Sequence, residues 1–574
     1  MTETEWIEKP LPADELRGLE DGLGVSPFLA RLLLGRGVRT AGEARSFFDA
    51  PLSELPQPRD MKDLSRAVKL AWDAVRAGSK VVVFGDYDVD GICSAALLAH
   101  GLGALGAQVE TLLASRFDYG YGMGPRQAEA VAEAGARLAI LVDCGTSDLE
   151  AAAVLGNRGV AAIVIDHHRV GPRHPPVSAF VNPMRADCPF PCKSLTASGL
   201  SFYFVAVMTR LAPAWAADRA GKIDARDYLD LAAIGTVADV ASVTGANRCI
   251  LKAGLRRMQE DSRPAVARLL TAAGLTRRTR GEEVVSFHVA PVLNSAGRMG
   301  DPTLALRFLL STGEEDARAL HEKIALLNER RRGEEQRVTR EVILALTKKD
   351  LSGRASVVLA GRGWHPGVLG IVANRLVEKT GKIVAVVGLE GVTGRGSIRV
   401  PEGVDIFSAL ERSRDVFERF GGHSAAVGFT IRADRLRALE ERLEEAGRTL
   451  MTRSRSLVID ATVPVEEAGW PQVEDIERLA PFGRDNPQPL VCLDGVGVRD
   501  AKIVGSDHLR FFAAGRTGGL PVFGPHMGGH LRAIPAARRL AGHLRQDTDR
   551  GGRAVEFVHK DFKCSPAEGG ASAS

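Results

Sequence analysis

The sequence predicts an α/β protein in which a parallel-sheet domain is followed by a second α/β domain and a C-terminal β-barrel. Three observations lead to this prediction. Val- and Ile-rich runs alternate with helical stretches in the first half of the chain, a long polar helix follows near the middle, and short β-like runs dominate the final segment. Buried strands that alternate with helices imply a parallel sheet covered on both faces.

Composition sets broad limits on the protein. The chain has 574 residues, of which 45% are hydrophobic and 25% charged, as is ordinary for a globular protein of several domains. Its net charge of +4 permits a nucleic-acid partner without requiring one. Seven cysteines without regular spacing favour a reducing compartment. Because no basic leader and no apolar run of membrane-spanning length is seen, we expect a cytoplasmic protein with no membrane partner.

The parallel-sheet domain is expected at residues 71–312, after a mostly helical lead-in at residues 1–70 that ends in a proline-rich loop. Its strands are predicted from three apolar runs, Lys80 to Phe84, Arg137 to Val142 and Ala161 to Ile165. Helical stretches such as Ser94 to Leu105 separate them, so the strands should lie parallel.

Each of these strands is followed by acidic or imidazole side chains. In open parallel sheets, ligands bind beyond the carboxyl ends of the strands, so these side chains should meet in one crevice. They are Asp88 and Asp90 in VVVFGDYDVDG, Asp143 in ILVDCGTS, and His167 and His168 in AIVIDHHR.

The side chains in this crevice suit divalent metals. Carboxylates dominate and no thiolate cluster competes, which favours Mn²⁺ or Mg²⁺. Asp239 in AAIGTVADVAS, at the end of an apolar helical segment, could complete the shell of a second ion. Two such ions can activate a water and stabilise the leaving oxygen of a phosphodiester. The sequence therefore predicts a metal-dependent phosphoesterase.

The same residues allow two simpler interpretations. The Asp-rich segment from Asp86 to Gly91 resembles the start of an EF-hand calcium loop, but Leu97 stands where that loop needs Glu, and a strand precedes it. An Asp-rich turn can also be a mere helix cap, and a His pair can belong to a core. The occurrence of all these motifs in strand-end order favours the metal site.

The remainder of the chain divides into four parts. We expect a long connecting helix at residues 313–348, a second α/β domain at 349–450, a β-barrel at 455–565 and a disordered tail at 566–574. Strands are predicted in the second domain and the barrel from these runs: Ser356 to Ala360, Ile383 to Val387, Ser456 to Ile459, Leu490 to Leu493 and Leu509 to Ala513.

Several motifs resemble those of a known family. DYDVDG, VDCG, DHH and GTVADV are similar to the metal-site motifs of the DHH phosphoesterase superfamily. In order along the chain, the RecJ family of bacterial exonucleases is further resembled by SRFDYGYGM, APVLNSAGRMGDP, WHPGVLGIVANRL, GRGSIR, FGGHSAAVGFTI and PFGRDNPQP. The resemblance implies a DHH catalytic domain, a DHH-associated domain and an oligonucleotide-binding (OB) barrel.

This resemblance also implies an activity. It is exonuclease cleavage of single-stranded DNA from the 5′ end, with release of 5′ mononucleotides, two Mn²⁺ or Mg²⁺ ions, and a role in DNA repair and recombination. The family further suggests single-strand binding protein and a RecQ-type helicase as partners. We expect a monomer.

The resemblance assigns roles to individual residues. The implied metal ligands are Asp88, Asp90, Asp143, His167 and Asp239, and Asp86 and Asp166 would orient them. The implied catalytic residues are Asp143, His167 and His168, the last beside the scissile phosphate. The implied substrate-binding residues are Arg116, Ser397 and Arg399 around a 5′ phosphate, Arg298 on the DNA backbone, and His423 on the far wall of a cleft.

Two alternatives remain from the sequence. A DHH-family phosphodiesterase acting on short oligoribonucleotides or cyclic dinucleotides would have similar catalytic lobes, but such chains usually lack the C-terminal barrel. A catalytically dead replication scaffold would have lost the metal carboxylates that this chain retains. The chain also departs from the family pattern at Val292, Ser295 and Cys144, none of which is an implied metal ligand.

Overall fold

The computed structural model describes residues 4–117, 121–274, 281–451, 456–505, 507–547 and 550–564. They belong to two compact units. The first unit comprises Met1–Leu55, Ser242–Lys252 and Ser454–Ser574, and the second comprises Pro56–Ala241 and Ala253–Arg453. The tail expected at residues 566–574 lies outside the described residues.

The strands and helices of the described residues are numbered in chain order. The strands are β1 Glu5–Glu8, β2 Lys80–Gly85, β3 Gln108–Leu113, β4 Leu138–Val142, β5 Ala161–Ile165, β6 Ala179–Val181, β7 Ser356–Arg362, β8 Ile383–Glu390, β9 Thr393–Arg399, β10 Arg419–His423, β11 Ala426–Arg432, β12 Ser456–Ile459, β13 Ala461–Pro464, β14 Val491–Asp494, β15 Gly497–Val504, β16 His508–Ala514, β17 Gly519–Gly524, β18 Arg539–Gln546 and β19 Val555–Lys563. The helices are α1 Ala13–Leu23, α2 Pro27–Gly35, α3 Ala41–Asp49, α4 Leu64–Arg76, α5 Val89–Ala104, α6 Pro125–Glu133, α7 Leu149–Asn157, α8 Ala197–Arg210, α9 Ala217–Ala220, α10 Leu229–Ala238, α11 Gly245–Glu260, α12 Pro264–Ala272, α13 Glu282–Val284, α14 Ala290–Met299, α15 Thr303–Leu309, α16 Glu314–Leu346, α17 Pro366–Thr380, α18 Ile406–Glu411, α19 Leu436–Leu450 and α20 Trp470–Glu477.

The first lobe of the second unit is built on a parallel sheet with strand order β3-β2-β4-β5-β6. Strands β2, β4 and β5 consist mainly of Val, Ile, Leu and Ala, and nearly all of their residues are buried. Such runs form strands because both faces of the sheet are covered by helices. The parallel sheet expected from the sequence is therefore confirmed.

The second lobe is a five-stranded mixed sheet with order β10-β11-β9-β8-β7, in which only β7 and β8 are parallel. Helix α17 packs its buried Val368 and Val372 against Val384 and Val386 on one face. Helix α19 covers the other face. Alternate residues of β9 point to opposite faces, so one row of its side chains faces α17.

The long helix α16 runs for 33 residues, about 50 Å, and belongs to the second unit. Its buried residues recur every three or four positions, which makes one continuous buried stripe on a helix that is otherwise polar. Helices α12, α14, α15 and α17 all contact this helix. The polar helix predicted near the middle of the chain thus lies along both lobes.

The first unit combines the N-terminal helices with the C-terminal strands in one hydrophobic core. The strands form a sheet with order β13-β14-β18-β19-β17-β16-β15. Leu29, Leu32 and Leu33 of α2 are fully buried in the same core as Phe511 and Phe557. The N-terminal segment is therefore part of the barrel's core, and α4 already belongs to the other unit.

Strand β12 differs from its predicted place. The sequence suggested that Ser456 to Ile459 would be part of the barrel, whereas it forms a separate parallel pair with β1. The Nε1 group of Trp6 on β1 donates to Asp561 on β19 at 2.9 Å. The pairing of β12 with β1 joins residues some 450 positions apart, which a local sequence pattern cannot show.

We expect His559 on β19 to make the stability of the first unit dependent on pH. It is 1% exposed, and among the described residues neither ring nitrogen has a hydrogen-bond partner. Burial, then the nearby His530, lowers the pKa of His559 to about 3. As the pH falls below about 6.5, His559 binds a proton in the unfolded chain but stays neutral in the folded chain. The free energy of unfolding should therefore decrease as the pH is lowered from about 6.5 to about 3.

We expect the wild-type protein to lose about 2 kcal/mol more of its unfolding free energy between pH 7 and pH 5 than His559→Leu. Denaturant unfolding of both proteins at several pH values measures this difference. Equal losses in the two proteins would show that His559 is not the group responsible.

Among the described residues, no single helix is long and apolar enough to cross a membrane. Ala197–Arg210 and Ala214–Ala220 meet that length and composition only as a pair, which is bent by 101°. Most residues of α8, the first of the pair, are buried within the first lobe.

Candidate metal centre and phosphate pocket

The carboxyl ends of the three central strands of the first lobe lie in line. Gly85 on β2 pairs with Val142 on β4, and Val142 is level with Ile165 on β5. The acidic and imidazole residues that follow each strand therefore come to one edge of the sheet. This is the arrangement predicted from their places in the sequence.

Two groups of potential metal ligands share Asp143 at this edge. Within each group, one ligand atom of every residue lies within 4.8 Å of the others; the groups are Asp86, Asp88 and Asp143, and Asp143, Asp166, His167 and His168. Asp143 has a φ of +59°, a left-handed conformation that turns the chain sharply after β4. The Asp143 carboxylate would therefore be available to metal ions held by either group.

His167 connects the remaining predicted ligands. Its Nε2 atom lies 3.2 Å from Oδ1 of Asp143 and 3.9 Å from Oδ2 of both Asp90 and Asp239. Asp239 directly follows the last residue of α10, so that helix positions it at the sheet edge. The structure brings the five predicted metal ligands into one site.

The start of α5 orients the carboxylate of Asp88, and the start of α8 orients that of Asp90. The Asp88 carboxylate accepts the N–H of Gly91 and caps α5. The Asp90 carboxylate accepts the backbone N–H groups of Ala197 and Ser198, at the start of α8, at 2.8 and 3.1 Å. Both carboxylates therefore have fixed orientations in the folded chain.

The electrostatics of the site favour a bound cation. Burial, then the charge of Asp88, raises the pKa of Asp143 well above its usual range, and burial raises the pKa of Asp90 to about 6. Burial likewise raises the pKa of the neighbouring Cys144 thiol, so no thiolate competes as a ligand. Carboxylate oxygens with one imidazole are a donor set that fits Mn²⁺ or Mg²⁺.

His168 is held by three side chains. Its Nδ1 lies 2.7 Å from Asp166 Oδ1 and 2.9 Å from the Tyr121 hydroxyl, and its ring stacks on His423 of β10 at 5.2 Å. Burial lowers the pKa of His168, but the Asp166 carboxylate outweighs this effect and raises it to about 9. Tyr121 lies within SRFDYGYGM, but the sequence assigns it no role because only the fold shows what its hydroxyl contacts.

The predicted phosphate-binding residues form a cluster of guanidinium groups beside these acids. The Arg116 guanidinium lies 4.3 Å above the ring of Tyr87, the residue between two acids of the metal site. Among the described residues, nothing accepts a hydrogen bond from the buried Arg116 Nε. Arg298 donates through Nη1 to the Gly367 carbonyl at 3.1 Å, where α14 meets α17.

These arginines repel one another. Burial, then Arg116 and Arg399, lowers the pKa of Arg298 to about 9, and burial followed by Arg116 lowers the pKa of Arg399 to about 10. Charge crowding of this kind is relieved when an anion binds between the guanidinium groups. We call the cluster of Arg116, Arg298, Ser397 and Arg399 the phosphate pocket.

Helix α17 fixes one side of the phosphate pocket through a glycine. Arg399 donates through Nη1 to Ser397 Oγ at 2.7 Å, and the two residues lie in the row of β9 that faces α17. A Cβ on Gly370 would lie 2.7 Å from Nη2 of Arg399 and 3.2 Å from Ser397 Oγ. Sequence reasoning missed Gly370, whose only signal was its place in the motif WHPGVLGIVANRL.

Three protein-family models match the chain. The DHH family N-terminal domain matches residues 80–236, the DHHA1 domain residues 353–449 and the RecJ OB domain residues 459–561. These matches confirm the predicted sequence of domain types: a DHH catalytic domain, a DHH-associated domain and an OB barrel.

Similar proteins from several bacteria are named single-stranded-DNA-specific exonuclease RecJ. The protein from Thermus thermophilus is 33% identical over 563 residues, which cover 97% of this chain and 78% of that protein. The Bacillus subtilis protein is 32% identical over 506 residues, 87% of this chain but only 63% of its own length. This chain therefore spans less than two thirds of the Bacillus protein.

A solved structure has the same fold. The crystal structure of RecJ from Thermus thermophilus in complex with Mn²⁺ matches 98% of this chain and 80% of its own chain, with a TM-score of 0.83 and 31% identity. The Mg²⁺ complex of the same protein matches with a TM-score of 0.77. From this agreement in sequence, domain types and fold, the chain belongs to the RecJ family of DHH proteins.

Proposed function

We propose that this chain is a metal-dependent exonuclease that degrades single-stranded DNA from the 5′ end and releases 5′ mononucleotides. The observation that supports the proposal is the contact of the Arg116 guanidinium with the ring of Tyr87, the residue between Asp86 and Asp88. An enzyme that holds a terminal phosphate next to its reaction centre cleaves a fixed short distance from the end.

The metal site would hold two divalent ions through Asp88, Asp90, Asp143, His167 and Asp239. When bound, such ions lower the pKa of a coordinated water and offset charge on the phosphate. Asp86 and Asp166 would keep the ligands oriented, since Asp166 Oδ1 accepts the N–H of His167 at 2.8 Å. His168, fixed by Asp166 and Tyr121, would lie beside the scissile phosphate.

The phosphate pocket would determine the end of the DNA from which degradation begins. Arg116, Ser397 and Arg399 would donate hydrogen bonds to a terminal 5′ phosphate, and Arg298 to the next backbone phosphate. The stacked His423 would keep the second lobe in contact with His168. A 3′ end carries no terminal phosphate to fill this pocket, so cleavage should begin at 5′ ends.

The C-terminal domain supports a single-stranded substrate. It matches the RecJ OB domain, and OB folds bind single strands through a basic groove and stacking aromatic residues. This match disfavours the alternative of a DHH phosphodiesterase for short oligoribonucleotides or cyclic dinucleotides, because such chains usually lack that barrel. Binding should weaken steeply as salt is raised.

Cellular context is part of the proposal. We place the enzyme in the cytoplasm, in DNA repair and recombination, as a monomer that works with single-strand binding protein and a RecQ-type helicase. Family membership is the only support for these partners.

The proposal is tested with 5′-labelled and 3′-labelled single strands and the matching duplex, each with Mn²⁺, Mg²⁺ or EDTA. We expect labelled mononucleotide to appear at once from the 5′-labelled single strand only, and EDTA to block its release. Cleavage of dinucleotides without cleavage of longer DNA would instead identify the oligonucleotide phosphodiesterase.

A further inference from the structure

A groove of about 630 Å³ opens beside the metal site, within the second unit. Its wall includes Val237, Ala238 and Val240, which flank the predicted ligand Asp239, and it also includes Arg298 of the phosphate pocket. Phe287 also lines this groove. We call the groove the Phe287 groove. A single strand of DNA that leaves the metal site could enter this groove directly.

The groove exposes apolar side chains that most folds would bury. Phe287 is 69% exposed and Val240 is 66% exposed. Phe287 lies in a π-helical turn, residues 285–289, and such turns are frequent at functional sites. An exposed aromatic ring in a groove is a platform on which a flat ligand can stack.

The charge of the groove identifies the class of ligand. Arg331, Arg332 and Arg375 line it together with Arg298, against a single carboxylate, Glu335. Glu335 is 4% exposed and binds both Arg331, at 2.6 Å, and Arg375, at 2.5 Å, which fixes the two guanidinium groups. Arg332 is exposed. Cations around a stacking surface suit a single-stranded nucleic acid rather than an apolar peptide.

We propose that Phe287 stacks on one base of the single strand on the 3′ side of the scissile phosphate, while Arg332 and Arg375 meet its backbone. The inference rests on the proposed function, since it takes the 5′ end to be in the phosphate pocket. It adds a binding site for the part of the strand that has not yet been cut. Because stacking tolerates any base, this site binds single strands regardless of their sequence.

The test measures binding in EDTA, so that no cleavage occurs. Fluorescence anisotropy is recorded for 5′-phosphorylated oligonucleotides, one intact and the others with a single abasic site at successive positions. The proteins are wild type, Phe287→Ala, Phe287→Trp and the control Leu344→Ala, which removes a 64% exposed side chain of α16 that does not line the groove.

We expect Phe287→Ala to weaken binding of the intact strand by about 5- to 100-fold, and Phe287→Trp and Leu344→Ala to bind like wild type. One abasic position should weaken wild-type binding by a similar factor and leave Phe287→Ala unaffected. Equal abasic effects in both proteins at every position, or wild-type affinity in Phe287→Ala, would overturn the inference. Thermal unfolding checks that the variants are folded.

Failure of this inference is distinguishable from failure of the proposed function. If wild-type protein with Mn²⁺ does not release mononucleotides from 5′ ends, the exonuclease assignment fails. If it does so while the abasic series shows no coupling to Phe287, only the stacking site fails. A groove that takes a protein partner instead would leave DNA binding unchanged in Phe287→Ala.

Discussion

Asp143→Ala is expected to lower the rate of single-strand cleavage by about 10³-fold or more, with DNA binding largely retained. Asp143 is common to both groups of potential ligands, so its removal affects both predicted ion positions. Metal ions contribute several kcal/mol to stabilising a phosphoryl transition state, and each 1.4 kcal/mol is a tenfold change in rate. Single-turnover cleavage of 5′-labelled DNA measures the loss.

A matched control is Asp434→Ala, which removes an exposed aspartate of the second lobe that forms an ion pair with Arg432. Its cleavage rate should equal that of wild type. Wild-type turnover in Asp143→Ala would refute the metal-site assignment, and equal loss in both variants would show a general effect on folding.

Thermal unfolding gives Asp143→Ala a second readout. Because burial and Asp88 raise the pKa of Asp143, its ionisation opposes folding in the metal-free protein, and more so as the pH rises through and beyond the usual carboxyl pKa. Metal-free Asp143→Ala should therefore melt no lower than metal-free wild type at neutral pH. Mn²⁺ should raise the melting temperature of wild type more than that of the variant.

Arg399→Ala is expected to slow cleavage of 5′-phosphorylated ends by about 10- to 100-fold and to change cleavage of 5′-hydroxyl ends much less. A hydrogen bond from a charged donor is worth about 1.5–3 kcal/mol, which sets this range. The relevant measurement is kcat/KM for matched oligonucleotides that differ only in the 5′ phosphate.

Gly370→Ala tests the same pocket without removing a charge. The new methyl group would lie 2.7 Å from Arg399 Nη2, so the guanidinium must move, and discrimination between the two ends should fall in the same direction. Gly156→Ala, on α7 with nothing within 4 Å of the added Cβ, is the matched control. If Arg399→Ala slows cleavage of both ends equally, the pocket does not read the 5′ phosphate.

Much of the fold could be predicted because its signals are local. The runs at β2, β4 and β5 are apolar enough to require burial on both faces, and the acids that follow them could only meet at one edge. Helix α16 was likewise visible from its composition, and its observed bounds, Glu314–Leu346, are those of the polar stretch.

What the sequence could not show are contacts between distant segments. Strand β1 is a four-residue run whose partner, β12, lies some 450 residues away, and no local pattern identifies that pairing. The same holds for Tyr121 and Gly370, whose importance comes from single contacts with His168 and Arg399. Phe287 would look like a core residue until its exposure is seen.

The core shared by the N-terminal helices and the C-terminal strands has a consequence for biosynthesis. Leu55 closes the first segment of this unit and Ser454 opens the last, about 400 residues later. At about 5–20 residues per second, a ribosome needs roughly 20–80 s to cover that distance. Throughout that interval the barrel strands that bury the leucine-rich face of α2 have not yet been synthesised, so this unit can complete its core only late in translation.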